Sequence, residues 1–191
     1  STMTLNCLQL NSDLTTFSIN YYTLNMATGY LDIFFNKPIA INSINLQKLT
    51  LTNSRLNPSS IINLGNTSII SVSKGLSSTN WIRINLNAGE YHPSVRDLIH
   101  LSKIISLSVG NTYLVVEEGF IHDTAFPPNY LPEIIQDFAI QPSSIVSDRN
   151  SPLLLSYDLD LSERTLTLTF NEAVNYHNMK ISRIKLLSNP T

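Results

Sequence analysis

Apolar and polar residues alternate along most of the chain, which is the period of a β-strand rather than of a helix. Clusters of turn-forming residues, such as those at 57–60 and 127–129, separate the alternating runs. The pattern therefore predicts an all-β fold. The predicted strands cover residues 3–9, 17–24, 30–36, 46–52, 68–74, 80–86, 112–118, 137–141, 153–161, 165–171 and 179–187.

One segment, residues 93–105, has the period of a helix. The apolar residues Val95, Leu98, Leu101 and Ile105 would share one helical face, and Ser94 precedes them as a candidate N-cap. We expect one short helical connection here in an otherwise β protein.

The alternating pattern recurs with an offset of 135 residues, so that residues 1–56 align with 136–191 without a gap. The stretch GYLDIFFNKPI at 29–39 aligns with RTLTLTFNEAV at 164–174. A recurring pattern of this length indicates tandem repeats. The predicted organisation is the last strand of a preceding repeat or a linker at 1–12, a complete repeat at 13–147 and the first strands of a second repeat at 148–191.

The phrase Phe-Asn ends the alternating run in both copies, at Phe35-Asn36 and at Phe170-Asn171. Alternation places each Phe on the inward face, and the Asn is predicted to leave the strand ladder. Pro38 follows in the first copy and has no backbone donor, so the strand is predicted to end before it. The phrase is interpreted as a strand terminus that recurs because the fold recurs.

Composition indicates a surface rich in hydroxyls and amides rather than in charges. Ser, Thr and Asn provide 61 of the 191 residues, charged residues only 14%, and the formal net charge is −2. This balance provides no basic surface for nucleic acid or anionic lipid. No apolar run reaches the roughly 18 residues of a membrane helix. Residues 1–10 also lack the pattern of a signal peptide.

The residues that could support catalysis or metal binding are scattered. His122-Asp123 could form half of a nucleophile triad and Cys7 could be a nucleophile, but neither stands in a known catalytic motif. Asp158 and Asp160 share one strand face and are candidate calcium ligands, although Thr23 and Asn25 at the equivalent positions carry no charge. Asn66 begins the glycosylation sequence Asn-Thr-Ser. The expected function is therefore non-enzymatic, without catalytic residues, a bound metal or a cofactor.

The second copy is predicted to lack the strands that would cover its apolar face. Leu166, Leu168 and Phe170 would then form a partner-facing apolar patch. We expect this patch to contact a protein partner or another copy of the chain.

Five stretches of the chain together resemble a known family: SYDLDL at 156–161, LTLTFNEAV at 166–174, WIRINL at 81–86, DLI at 97–99 and GNTYL at 110–114. In these stretches the chain resembles the immunoglobulin-like repeats that occur in tandem in very large secreted or surface proteins of sponges, choanoflagellates and some algae. Asn25 and Lys37 depart from this resemblance, because acidic residues are usual at these places.

The resemblance implies an extracellular β-sandwich with a structural role and no catalytic residues to carry over. In a sponge, such a scaffold could belong to a silica biomineral matrix, with a silicatein-like protein as partner and with surface hydroxyls and amides that hydrogen-bond silicic acid. The alternative is a carbohydrate- or cell-adhesion module that binds its ligand through loops at one end of the sandwich.

Overall fold

The computed structural model describes residues 15–71, 79–87, 94–172, 174 and 179–187. The chain divides into two compact units, Ser1–Asp148 and Arg149–Thr191. The described part of the chain is mostly β, as the alternation predicts. The strand predicted at 3–9 lies outside the described residues.

The first unit contains two β-sheets in its described residues. One has the strand order β5-β6-β2-β1-β8 and the other the order β4-β3-β7. Neighbouring strands are antiparallel, except that β1 and β8 run parallel. The strands are β1 Ile19–Asn25, β2 Tyr30–Ile39, β3 Leu49–Thr52, β4 Ile61–Asn63, β5 Ser68–Ser71, β6 Thr79–Asn85, β7 Tyr113–Val116 and β8 Ser144–Val146.

Both sheets contribute to one hydrophobic core. Every second residue of β2 is buried, and the apolar ones among them belong to the same buried cluster as Leu49 and Leu51 of β3 and Leu114 and Val116 of β7. Tyr22 of β1 is fully buried, and its hydroxyl donates a hydrogen bond towards the carbonyl of Ile140 at 3.3 Å. Burial, and to a lesser extent the nearby Tyr113, raises the pKa of Tyr22 far above that of a free phenol.

The predicted helical connection is present as α1, Val95–Ser102, and begins at the predicted cap. The Ser94 side chain accepts a hydrogen bond from the Asp97 amide, and the Asp97 carboxylate accepts one from the Ser94 amide. The helix ends at Lys103, which has a left-handed φ of 55°. Val95 and Ile99 are the buried residues of α1, whereas Leu98 and Leu101 are exposed, so the predicted apolar face is wrong at these two positions. Ile105 is buried as predicted, but it lies beyond the end of the helix.

Several predicted strand boundaries differ from the structure. Leu46–Lys48 forms a 3-10 turn capped by Asn45, so β3 begins only at Leu49. A second 3-10 turn, Gln136–Phe138, covers the first two residues of the strand predicted at 137–141. The short strands β4 and β8 were not predicted, because three residues are too few to show an alternating pattern.

The prediction that a strand ends before Pro38 is wrong, because β2 continues to Ile39. The pairing of β2 with β6 shifts between Phe34 and Ile39, so Pro38 lies where the ladder is irregular. The Pro38 carbonyl instead accepts a hydrogen bond from the Thr124 amide at 3.2 Å.

The second unit contains one antiparallel hairpin in its described residues. Its strands are β9, Leu154–Asp160, and β10, Thr165–Phe170. A 3-10 turn, Ile181–Arg183, follows where a strand was predicted at 179–187. The equivalent residues of the first unit are Leu46–Lys48, which also form a 3-10 turn.

Candidate interaction surface on the second hairpin

The hairpins β1–β2 and β9–β10 have the same pairing of residues when 135 is added to each number. Tyr22 pairs with Ile33 and Tyr157 with Leu168; Leu24 pairs with Leu31 and Leu159 with Leu166. Both hairpins also skip one residue near the open end, where Ile19 pairs with Phe35 and Leu154 with Phe170. The register is therefore equivalent along the whole length of both strands.

The Phe-Asn phrase closes the open end of each hairpin by the same pair of hydrogen bonds. Asn36 Oδ1 accepts from the Ser18 amide at 2.9 Å, and the Asn36 amide donates to the Ser18 carbonyl at 3.1 Å. Asn171 repeats both contacts with Leu153, at 2.7 and 3.1 Å. A side chain with an oxygen acceptor thus fixes the strand that enters the hairpin, which explains why the asparagine recurs.

The turns of the two hairpins are equivalent too. The Asn25 side chain accepts from the Thr28 amide at 3.1 Å, and Asp160 accepts from the Glu163 amide at 3.0 Å. The last turn residue has a positive φ in both, 72° at Gly29 and 55° at Arg164. Asp160 therefore has a structural partner in the turn, and an uncharged asparagine performs the same role in the first hairpin.

The equivalent inward faces differ in burial. Tyr22 is 0% exposed and Leu24 1% exposed, whereas Tyr157 is 64% and Leu159 41% exposed. Leu166, Leu168 and Phe170 are half-buried, whereas Leu31, Ile33 and Phe35 are buried. The second hairpin thus has the inward side chains of a core strand pair without a full covering in the described second unit. We call this surface, formed by Leu154, Tyr157, Leu159, Leu166, Leu168 and Phe170, the hairpin face.

Asp158 and Asp160 lie on the opposite face of the hairpin, together with Thr165 and Thr167. Among the described residues, no three His, Cys, Asp or Glu side chains form a group that could hold a metal ion. Asn66 is exposed in the turn between β4 and β5, where its amide is accessible.

The His122 ring has no hydrogen bond with the Asp123 carboxylate. His122 Nδ1 contacts the backbone carbonyl of Asp123 at 2.8 Å rather than its carboxylate. That carboxylate accepts hydrogen bonds from the Asn129 amide, the Asn129 side chain and the Ala125 amide, and lies 3.6 Å from Lys37 Nζ. Burial alone would raise the pKa of Asp123, but the hydrogen bonds from Asn129 and Ala125, with the charge of Lys37, lower it overall. Cys7 lies outside the described residues.

Asp123 holds a loop whose tip the sequence did not identify as a candidate site. The side chain of Phe126 is fully exposed in this loop, residues 123–130, and Tyr130 is 61% exposed. The Tyr130 ring packs edge-on against His122 at a centroid distance of 5.3 Å. The sequence Pro-Pro-Asn at 127–129 indicated a turn. It did not indicate that Phe126 is exposed, because a loop has no alternating pattern from which the burial of a phenylalanine could be predicted.

A second buried carboxylate, Asp148, joins α1 to the turn of the first hairpin. Arg96 Nη2 lies 2.5 Å from Asp148 Oδ2, and Arg96 Nε donates to the Met26 carbonyl at 2.9 Å. His100 Nε2 is buried 3.7 Å from the same carboxylate oxygen. Burial, together with the charge of Arg96, lowers the pKa of His100 although Asp148 and Asp97 act in the opposite direction.

The lowered pKa of His100 predicts a pH dependence of stability. The imidazole takes up its proton at a lower pH in the folded state than in the unfolded state, whose pKa is near 6.5. The free energy of unfolding should therefore fall as the pH falls below that value, and His100→Gln should remove this part of the dependence. Urea unfolding at a series of pH values between about 5 and 8 measures this pH dependence of the free energy of unfolding. His122→Gln is the matched control, and an equal change in both variants would contradict the assignment.

No helix in the described residues is long and apolar enough to cross a membrane. Comparisons of the chain with protein-family models, with curated proteins and with solved structures found no match.

Proposed function

We propose that the chain is part of a non-enzymatic extracellular scaffold built from tandem immunoglobulin-like β-sandwich repeats. In this proposal residues 13–147 are one repeat, and the next begins at residue 148. The observation that carries it is the equivalence of the two hairpins, which share pairing register, closing asparagine and turn conformation. Each repeat would be one structural unit, and the role would depend on surfaces rather than on a reaction centre.

The contacts that charged side chains make within the fold support a structural role. Asp123 fixes the 123–130 loop, and Asp148 with Arg96 fixes α1 to the first hairpin turn. Arg83 of β6 forms two hydrogen bonds of 2.7 Å with Asp32 of β2. Each of these groups is satisfied by a contact that joins segments of the fold, which is the arrangement expected where charges stabilise and do not react.

Assembly with a protein partner would occur through the hairpin face. The many hydroxyl and amide side chains also suit a silica biomineral matrix, where they would hydrogen-bond silicic acid beside a silicatein-like protein. In either setting the surface chemistry is that of neutral hydrogen-bonding groups, since only 14% of the residues are charged.

Localisation of the protein tests the scaffold proposal. Antibodies against residues 15–148 should label extracellular material in the source tissue, and the label should stay with the insoluble fraction after detergent extraction. If the tissue contains silica, the label should also appear on the organic material left after the mineral is dissolved. Labelling confined to the interior of cells would contradict the proposal.

The exposed aromatic loop favours a second candidate, a carbohydrate- or cell-adhesion module. Sugars stack on exposed aromatic rings. Phe126 is fully exposed in the 123–130 loop, and Tyr130 at the base of the loop is also exposed. By contrast, Tyr21, Phe34 and Trp81 stack on one another, with centroid distances of 4.4 and 6.0 Å. A glycan array probed with the chain and with its Phe126→Ala variant distinguishes the candidates: binding that the variant loses supports adhesion, and the absence of glycan binding supports the scaffold.

A further inference from the structure

Within the described second unit, the outer edge of β10 has no paired strand. In the first unit β2 lies between β1 and β6, so both of its edges are hydrogen-bonded. Its equivalent β10 pairs with β9 on one side, and the described second unit has no strand on the other side. An unpaired edge next to an exposed apolar face is a template for strand addition.

The first unit indicates which kind of strand fits this edge. β6 runs antiparallel to β2, with Ile84 opposite Leu31 and Ile82 opposite Ile33. All four of these side chains are buried. Leu166 and Leu168 of β10 are equivalent to Leu31 and Ile33 of β2. A strand added to β10 in the same register would therefore place apolar residues opposite Leu166 and Leu168, and it would extend the hairpin face by one strand.

We infer that the hairpin β9–β10 is completed by an antiparallel strand of the β6 type, added along the free edge of β10 by a polypeptide segment that also covers the hairpin face. The inference rests on the proposed repeat, from which it takes the register. It identifies the partner as a protein strand with aliphatic residues at two alternate positions.

Charge supports the same partner. Residues 153–172 contain the carboxylates Asp158, Asp160, Glu163 and Glu172 but only one basic side chain, Arg164. The one charged residue of β6 is the cation Arg83, opposite Asp32 in the ladder. A β6-type strand is thus complementary in sign to the hairpin. The residue of β10 that is equivalent to Asp32 is Thr167, and its partner across the hairpin is Asp158 of β9.

The chain's own sequence provides the test. Thr191 is equivalent to Leu56, so residues 57–148 appended directly after Thr191 would continue the second copy in the same register. We expect amide exchange in β10 to slow by about 100-fold or more in this extended protein relative to the 191-residue chain, because the added β6 copy would pair with β10. Unchanged exchange in β10 would overturn the inference.

Two neighbouring positions in β10 provide a matched pair of variants of the extended protein. Leu168→Asp places a charge on the hairpin face and should return β10 to the fast exchange of the 191-residue chain. Thr167→Asp combined with Asp158→Thr introduces the same charge on the opposite face and reproduces the Thr23–Asp32 pair of the first hairpin. It recreates the Asp32–Arg83 pair with the arginine of the added copy and should keep the slow exchange. Equal effects of the two variants would overturn the proposed register.

Other occupants of the hairpin face give different results. If the 191-residue chain associates with itself as its concentration rises, and β10 becomes equally protected, a second copy covers the face and the inference is wrong. Sedimentation velocity and exchange at low and high concentration decide this. The outcome is independent of the localisation experiment: protection of β10 in a protein found inside cells would refute the extracellular scaffold and leave strand addition in place.

Discussion

Replacing Phe35 by alanine is expected to lower the free energy of unfolding of the first unit by about 3–5 kcal/mol, whereas Phe170→Ala in the second unit should cost far less. The two residues occupy equivalent places in equivalent hairpins. Phe35 is 1% exposed and its ring lies 5.6 Å from that of Phe17, so its removal leaves a cavity in the core. Phe170 is only half-buried, so its removal opens no enclosed cavity.

Urea unfolding measures this difference directly. The single tryptophan, Trp81, belongs to β6 of the first unit, and its fluorescence reports that unit alone. The Phe35→Ala variant should shift the Trp81 transition to lower urea, and Phe170→Ala should leave it unchanged. A comparable shift in both variants would show that the two units do not unfold independently.

Replacing Asp123 by alanine is expected to destabilise the first unit by about 3–5 kcal/mol, because the change removes one partner of a buried ion pair. Asp123 is 2% exposed and Lys37 is 8% exposed, so the change leaves the Lys37 ammonium buried with the Thr15 carbonyl as an acceptor but without its carboxylate. The change also removes the acceptor for the Ala125 and Asn129 amides, which hold the aromatic loop.

The matched control is Asp137→Ala, since Asp137 is exposed and its loss should change stability by no more than about 0.5 kcal/mol. Asp123→Ala should also remove part of the decrease in the free energy of unfolding that occurs at acid pH. The pKa of Asp123 is lowered on folding, so its contribution is present above its ordinary value of 3.8 and is lost as the pH falls through the lower folded value. An Asp123→Ala protein as stable as the control would contradict the assigned role of the carboxylate.

Most strands could be predicted from the alternating pattern, because eight of the ten described strands, all except β4 and β8, overlap a predicted run. The α1 cap was predicted because Ser94 directly precedes the apolar residues of the helix. β8 was missed because its pairing partner, β1, lies about 120 residues earlier, at Thr23–Asn25. Such a short strand depends on tertiary pairing rather than on its own residues.

The candidate site was predictable only in part. The inward positions of the second hairpin follow from alternation, so Leu166, Leu168 and Phe170 could be named from the sequence. Asp123 was considered as a catalytic residue because it follows His122, whereas the structure gives it a role that involves Lys37 and Asn129. Contacts between residues far apart in sequence have no local signal, and the buried charge pairs of this protein are of that kind.

The parallel pairing of β1 with β8 has a mechanical consequence. β1 is the first and β8 the last strand in the described residues of the first unit, and because they run parallel, the start of β1 and the end of β8 lie at opposite ends of the pair. Tension along the chain would pull β1 and β8 past each other lengthwise. The bonds from Ser143 to Tyr22 and from Met26 to Val146, each 2.8 Å, would then carry the load together rather than open one after another. A unit loaded in this direction resists extension through the collective strength of its terminal strands.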